Sequence, residues 1–190
     1  MVMMKKIVNP FNYLPLRQAL CWGVVAMILT AVFMWQLGLR ATSLTQIDFG
    51  GSALWKVTVA QLLIWLLFSV VLCLGGMIFS KSKVRFTDVA AYNLFARIPF
   101  DISLLIFAVP TVKSVMGYAA DGNLNAMMNH LGLLSAVGLV SMLFAAWYFY
   151  WSYKAFSVAT NLKNGKGVAI FFAGYMISYA ASGFILRLVA

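Results

Sequence analysis

Five apolar runs, separated by short polar connections, limit this chain to very few architectures. A helix needs roughly 20 predominantly apolar residues to cross a bilayer, and inside it every backbone N–H and C=O must be paired within the chain. The runs lie at about 19–39, 57–79, 86–109, 131–151 and 168–188. The expected fold is therefore all-α: one polytopic membrane domain over residues 1–190, with five transmembrane helices. Charged residues are 9% of the chain, against about 25% in soluble domains, which leaves no room for a separate water-soluble unit. In a soluble chain the formal net charge of +10 would point to nucleic acid. Here it reads as orientation and contact with anionic headgroups, with the lipid bilayer and not nucleic acid as the partner.

The chain opens on a basic segment, MVMMKKIVNPFNYLPLR, in which Phe11, Tyr13 and Leu14 are expected to lie in the interface beneath a charged rim. The apolar run that follows starts too late and is too long for a signal-peptide core, so it reads as a retained first helix anchored by Trp22 and Trp35. Residues 41–55, with Asp48 and the Gly50-Gly51 pair, read as an ordinary exposed loop. Residues 111–130, turning at Asp121-Gly122-Asn123, form the longest polar connection. The fourth helix is expected to finish in an aromatic interface belt at 147–153, capped by Lys154. Gly75-Gly76 in the second helix, and Gly174, Ser178 and Ser182 in the fifth, are small residues suited to tight helix packing.

Basic residues set the orientation. Lys5, Lys6, Arg17, Lys81, Lys83, Arg85, Lys154, Lys163 and Lys166 fall on one side of a five-span layout. Only Arg40, Lys56, Lys113 and Arg187 fall on the other. The expectation is an N-terminus in the cytoplasm and a C-terminus outside with five crossings, the alternative being four crossings and a re-entrant segment.

The third run, FTDVAAYNLFARIPFDISLLIFAV, carries charge at membrane depth. Asn93, Arg97 and Asp101 stand four residues apart and form one stripe on a helix, with Ala91, Phe95, Ile98, Ile102 and Ile106 opposite, a face suited to lipid. An Arg or Asp at a helix centre costs about 2.5–3.5 kcal/mol, and pairing the two lowers that cost. Pro99 lies between them and cannot donate to the carbonyl of Phe95, so a kink is expected. The seam has three readings: a structural pair bridged by Asn93 or Tyr92, a conformational or transport role such as the polar path of a small transporter or channel subunit, or the docking of a partner's membrane segment.

Other chemistry is sparse. The chain has no Glu, and His130 beside Asn129 reads as an interfacial polar residue. Cys21 and Cys73 sit in apolar stretches and read as small buried hydrophobes, while Ser135 and Ser141 read as packing residues. No metal-ligand cluster, nucleotide loop or nucleophile triad is visible, so neither an enzyme nor a cofactor is expected.

Three segments taken together resemble the bacterial branch of the Yip1 domain family over nearly the whole chain. They are NPFNYLPLRQAL before the first helix, FTDVAAYNLFARIPFDI in the third, and WYFYWSYKAFSVATNLKNGKGVA between the fourth and fifth. The resemblance implies a non-enzymatic integral membrane protein. Eukaryotic relatives act in vesicle traffic, with prenylated Rab-type GTPases and with each other. Their DLYGP-type motif is absent here, and their long soluble N-terminal region is not expected, so GTPase binding is not expected and no functional residue carries over. The resulting expectation is a membrane scaffold or adaptor in a bacterial inner membrane, packing against other membrane proteins or copies of itself. The alternative is a transporter or channel subunit with a path at Asn93, Arg97 and Asp101.

Overall fold

The computed structural model describes residues 9–189, so Lys5 and Lys6 of the basic opening lie outside the described residues. A 3-10 turn at Pro10–Asn12 leads into α1, Leu16–Leu37. Gly38 closes α1 in the left-handed region at φ +70°, where the missing Cβ removes the steric penalty. Two short strands follow, β1 (Leu39–Ala41) and β2 (Ile47–Phe49), paired antiparallel with Arg40 opposite Asp48. Helix α2 covers Leu54–Phe79. The third span is broken into α3 (Phe86–Ala96), α4 (Ile98–Ser103) and a 3-10 turn at Leu104–Ala108. Two short helices come next, α5 (Pro110–Ala120) and α6 (Leu124–Met128), then the long α7 (Leu131–Thr160) and α8 (Gly165–Val189). Five stretches, Leu16–Leu37, Leu54–Phe79, Phe86–Ala108, Leu131–Thr160 and Gly165–Arg187, are long and apolar enough to cross a membrane.

The broken third span is the most buried of the five and is enclosed by α1, α2 and α7, while α8 packs mainly on α2. The physical reason is cost. The span that carries charge needs protein around it, because lipid offers a charge no partner. The expected lipid-facing back is therefore corrected. Ala91 is buried, Phe95 stacks on Trp151 of α7 at 5.6 Å between centroids, and of that set only Ile102 is exposed.

The loop expected at 41–55 is also corrected. Leu39, Ser43 and Leu44 are buried, and the hairpin is bonded to α8. Leu44 N–H donates to Ser182 Oγ at 3.0 Å, the Thr45 and Tyr175 hydroxyls share a hydrogen bond of 2.7 Å, and Tyr179 OH donates to Gln46 Oε1 at 3.2 Å. A buried turn cannot leave its backbone groups unpaired, and α8 supplies hydroxyls where they are needed.

Helix α7 does not stop at its aromatic cluster. Lys154 lies along the helix over the rings of Tyr150 and Tyr153, its Nζ 5.3 and 5.8 Å from their centroids, instead of capping the end. The helix ends only at Asn161, at φ +58°. The cluster is split between inside and outside: Tyr148 and Trp151 are buried, Trp147 and Tyr150 exposed. The connection at 111–130 is largely helical, with Pro110 opening α5 at a position where no intrahelical N–H is needed. Phe11 is buried between α3 and α7 rather than lying in an interface, whereas Tyr13 is exposed. Cys73 is buried, but Cys21 is exposed on α1.

Candidate functional site: the buried polar seam

Pro99 determines the backbone of the seam. Lacking an N–H, it sits in the first turn of α4, the one place in a helix that does not need the donor. Helix α3 ends at Ala96, Arg97 takes φ −74° and ψ −19°, and its N–H bonds Leu94 O at 3.3 Å. Asp101 N–H then returns to Arg97 O at 3.1 Å. The expected kink is thus a stop and restart of the helix, with Arg97 at the joint.

The side chains follow from that joint. Arg97 Nε–H donates to Asp101 Oδ1 at 3.4 Å, and each side chain is only 8% exposed. This is a single long contact, without the forked two-bond geometry of the tightest Arg–carboxylate pairs. Neighbours make up the difference. The guanidinium lies 5.4 Å from the centroid of Phe100, and the Thr30 hydroxyl of α1 is in hydrogen-bonding reach of the Asp101 carboxylate. From α7 the ring of Tyr148 packs on Phe100 at 5.8 Å. One ion pair thereby joins α1, the broken third span and α7.

Asn93 belongs to the same stripe but not to the pair. Its Nδ2 donates to Ser69 Oγ of α2 at 3.2 Å. Tyr92 does not bridge either, since its hydroxyl donates to Leu14 O at 3.3 Å. Spacing alone missed three neighbours of the seam, Thr30, Ser69 and Tyr148, and a separate buried amide, Gln61. Gln61, 1% exposed, donates to Met34 Sδ at 3.0 Å. A lone amide in the run VTVAQLLIWLLF was the available signal for it. Thr30, Ser69 and Tyr148 carry none, because hydroxyls are common in spanning helices. One turn after Tyr148, the buried Trp151 Nε1 has no hydrogen-bond partner.

The small residues lie at contacts inside the chain. A Cβ on Gly76 would come within 2.5 Å of Thr160 Cγ2, on Gly75 within 3.0 Å of Ile170 Cγ2, and on Gly174 within 3.0 Å of Leu72 Cδ2. Ser178 Oγ donates to Gly174 O at 2.7 Å, and Ser182 Oγ both donates to Tyr179 O and accepts from the hairpin. The ridge Gly174/Ser178/Ser182 therefore faces α2 and the hairpin. His130 stacks with Tyr118 at 6.4 Å at the entrance of α7. Among the described residues no group of three or more His, Cys, Asp or Glu side chains is placed to hold a metal ion. Compared with known protein families, with curated proteins and with solved structures, the chain matches none, and its function is argued from this geometry.

Proposed function

We propose that the chain is a non-enzymatic, multi-pass membrane scaffold or adaptor of Yip1 type, which binds a membrane partner or a second copy of itself through the first half of α7. The observation that carries this reading is the packing of that half. From Leu131 to Trp147 only Val137 is buried, while Leu139, Met142 and Leu143 are 65%, 71% and 72% exposed. Gly132 and Gly138 have no atom within 4 Å of where a Cβ would stand, in contrast to the filled surroundings of Gly75, Gly76 and Gly174. A glycine inside a helix costs about 1 kcal/mol relative to alanine, so a face that only meets lipid gains nothing from two. Small residues and hydroxyls are what membrane helices use to approach one another, and Ser135 lies between the two glycines. In this reading the N-terminus is cytoplasmic, the C-terminus outside and the membrane a bacterial inner membrane, in line with the uneven spread of Lys and Arg.

The test is site-specific photo-crosslinking in native membranes. A photoreactive residue at Leu139 or Leu143 is expected to capture a protein of discrete mass, and one at Ile177 on the outer face of α8 is not. Gly138→Leu should abolish capture without unfolding the chain, since the space beside it is open. Capture of lipid alone at all three positions overturns the reading. A second reading, a polar path through the seam, is favoured by the burial of the Arg97–Asp101 pair, each side chain 8% exposed, within the broken third span. Its test is flux in proteoliposomes that Asp101→Asn removes from a folded protein.

A further inference from the structure

The hairpin and the last turns of α8 enclose an open cleft of about 770 Å³, within the roughly 300–1,000 Å³ range of small-ligand sites. A smaller hollow of about 200 Å³ adjoins it, shares Arg40, Ala41 and Leu186, and adds Lys56. The cleft has an excess of positive charge. Arg40 and Arg187 line it against one carboxylate, Asp48, which Arg40 Nη2 contacts at 3.2 Å. It also contains a polar group with nothing to bind. Ser43 is 3% exposed, and its Oγ has no hydrogen-bond partner. Such a group is destabilising unless something completes it. Gln46 also lines the cleft, its Oε1 taken by Tyr179 OH.

The outer rim is apolar. Phe184 lines the cleft and is 69% exposed, and Ile177 and Met176 continue that exposed surface along α8. A site with guanidinium groups and a buried hydroxyl at the end of a span, and an apolar strip leading away along the span, matches an amphiphile whose anion sits at headgroup level. We propose that the cleft binds the phosphate of an anionic lipid, with Arg40 and Arg187 meeting its charge, Ser43 Oγ donating a hydrogen bond and an acyl chain lying on Phe184. The site is independent of the docking face on α7.

The probe is phosphatidylglycerol, measured against phosphatidylcholine by native mass spectrometry of the full chain released from nanodiscs. Wild type is expected to retain phosphatidylglycerol selectively. Arg40→Gln/Arg187→Gln should lower that retention by about tenfold or more, the scale of a lost charge-assisted bond, with an unchanged helical circular dichroism spectrum. Arg187→Gln alone, which leaves the Arg40–Asp48 pair intact, should lower it by several fold. Ser43→Ala should weaken it, while Lys113→Gln, the same charge change outside the cleft, should not. Equal retention of the two lipids, or retention unaffected by the double change, overturns the proposal. Glycerol phosphate added as a soluble competitor separates the sources. Failure to displace the lipid supports a lipid site, and displacement with the same arginine dependence overturns the lipid assignment in favour of a water-soluble phosphate ester.

Discussion

Arg97 and Asp101 face each other across a break in the third span, Nε to Oδ1 at 3.4 Å, while the backbone N–H of Asp101 bonds the carbonyl of Arg97 at 3.1 Å. Two links, one of side chains and one of backbone, thus bridge Pro99, which removes a helix donor at the same point. The pair closes the local gap, has Thr30 of α1 in hydrogen-bonding reach, and is linked to Tyr148 of α7 through the ring of Phe100. Breaking it is expected to loosen more than one contact.

Asp101→Ala leaves a guanidinium buried without its carboxylate. Removing one partner of a buried pair costs about 3–5 kcal/mol, whereas removing both costs much less, because neither charge is then stranded. Arg97→Ala/Asp101→Ala is therefore expected to be more stable than Asp101→Ala. Reversible unfolding in mixed micelles measures both. If the two variants lose the same stability, the pair is not what organises this region.

Helices α1 and α3 approach tightly at a glycine that the apolar pattern does not single out. A Cβ on Gly23 would stand 2.7 Å from Leu94 Cγ and 3.1 Å from the Leu94 backbone carbon. Gly23→Ala is expected to cost about 1–3 kcal/mol, the usual penalty of overpacking. Gly138→Ala, with nothing within 4 Å, should be neutral or stabilise the isolated chain by up to about 1 kcal/mol. Thermal unfolding of the two variants side by side gives the comparison, and an equal response would mean that α1 and α3 do not approach as described.

The contrast between those glycines shows what one-dimensional pattern can deliver. Hydropathy located five stretches long and apolar enough to cross a membrane, because each needs only its own residues to be apolar. The boundaries were less legible. Helix α7 continues through Lys154 to Thr160 because a lysine can lie along neighbouring tyrosine rings, an outcome indistinguishable in sequence from a capping lysine. Partner choice was not legible at all. Asn93 was a clear candidate, yet whether it bonds Arg97, Asp101 or Ser69 depends on which helix lies across from it. The hairpin failed for the same reason: residues 41–46 look like any polar loop until Ser182, Tyr175 and Tyr179, more than a hundred positions later, are placed over them.

That docking of the hairpin is testable at one amide. Leu44 N–H is buried and its acceptor is the Ser182 hydroxyl. Ser182→Ala leaves the donor unpaired, a loss of about 1–3 kcal/mol. Hydrogen exchange across residues 42–46 is expected to accelerate, with little change in the middle of α2. Unaltered protection at Leu44 would show that the hairpin is held by other means.

Phe11 makes the corresponding claim for the other end of α1. It is 2% exposed and meets Tyr92, Phe95 and Trp151 edge-on, with centroids at 5.7, 6.0 and 6.0 Å. Edge-to-face pairs contribute about 0.5–1.5 kcal/mol beyond the area they bury, and a buried Phe→Ala change typically costs about 3–5 kcal/mol. The effect should be local, because Phe11 lies outside the five spans and its described links are to α3 and α7. Phe11→Ala is expected to free residues 9–15 for cleavage by an added protease and to shift the emission of Trp151, which then has solvent or lipid in place of a ring edge. Phe11→Leu, which keeps most of the volume without the ring, should restore protection from cleavage in part. A variant in which residues 9–15 stay resistant would mean that the turn at Pro10–Asn12 is held without Phe11, and that the aromatic cluster is an effect of the fold rather than one of its supports.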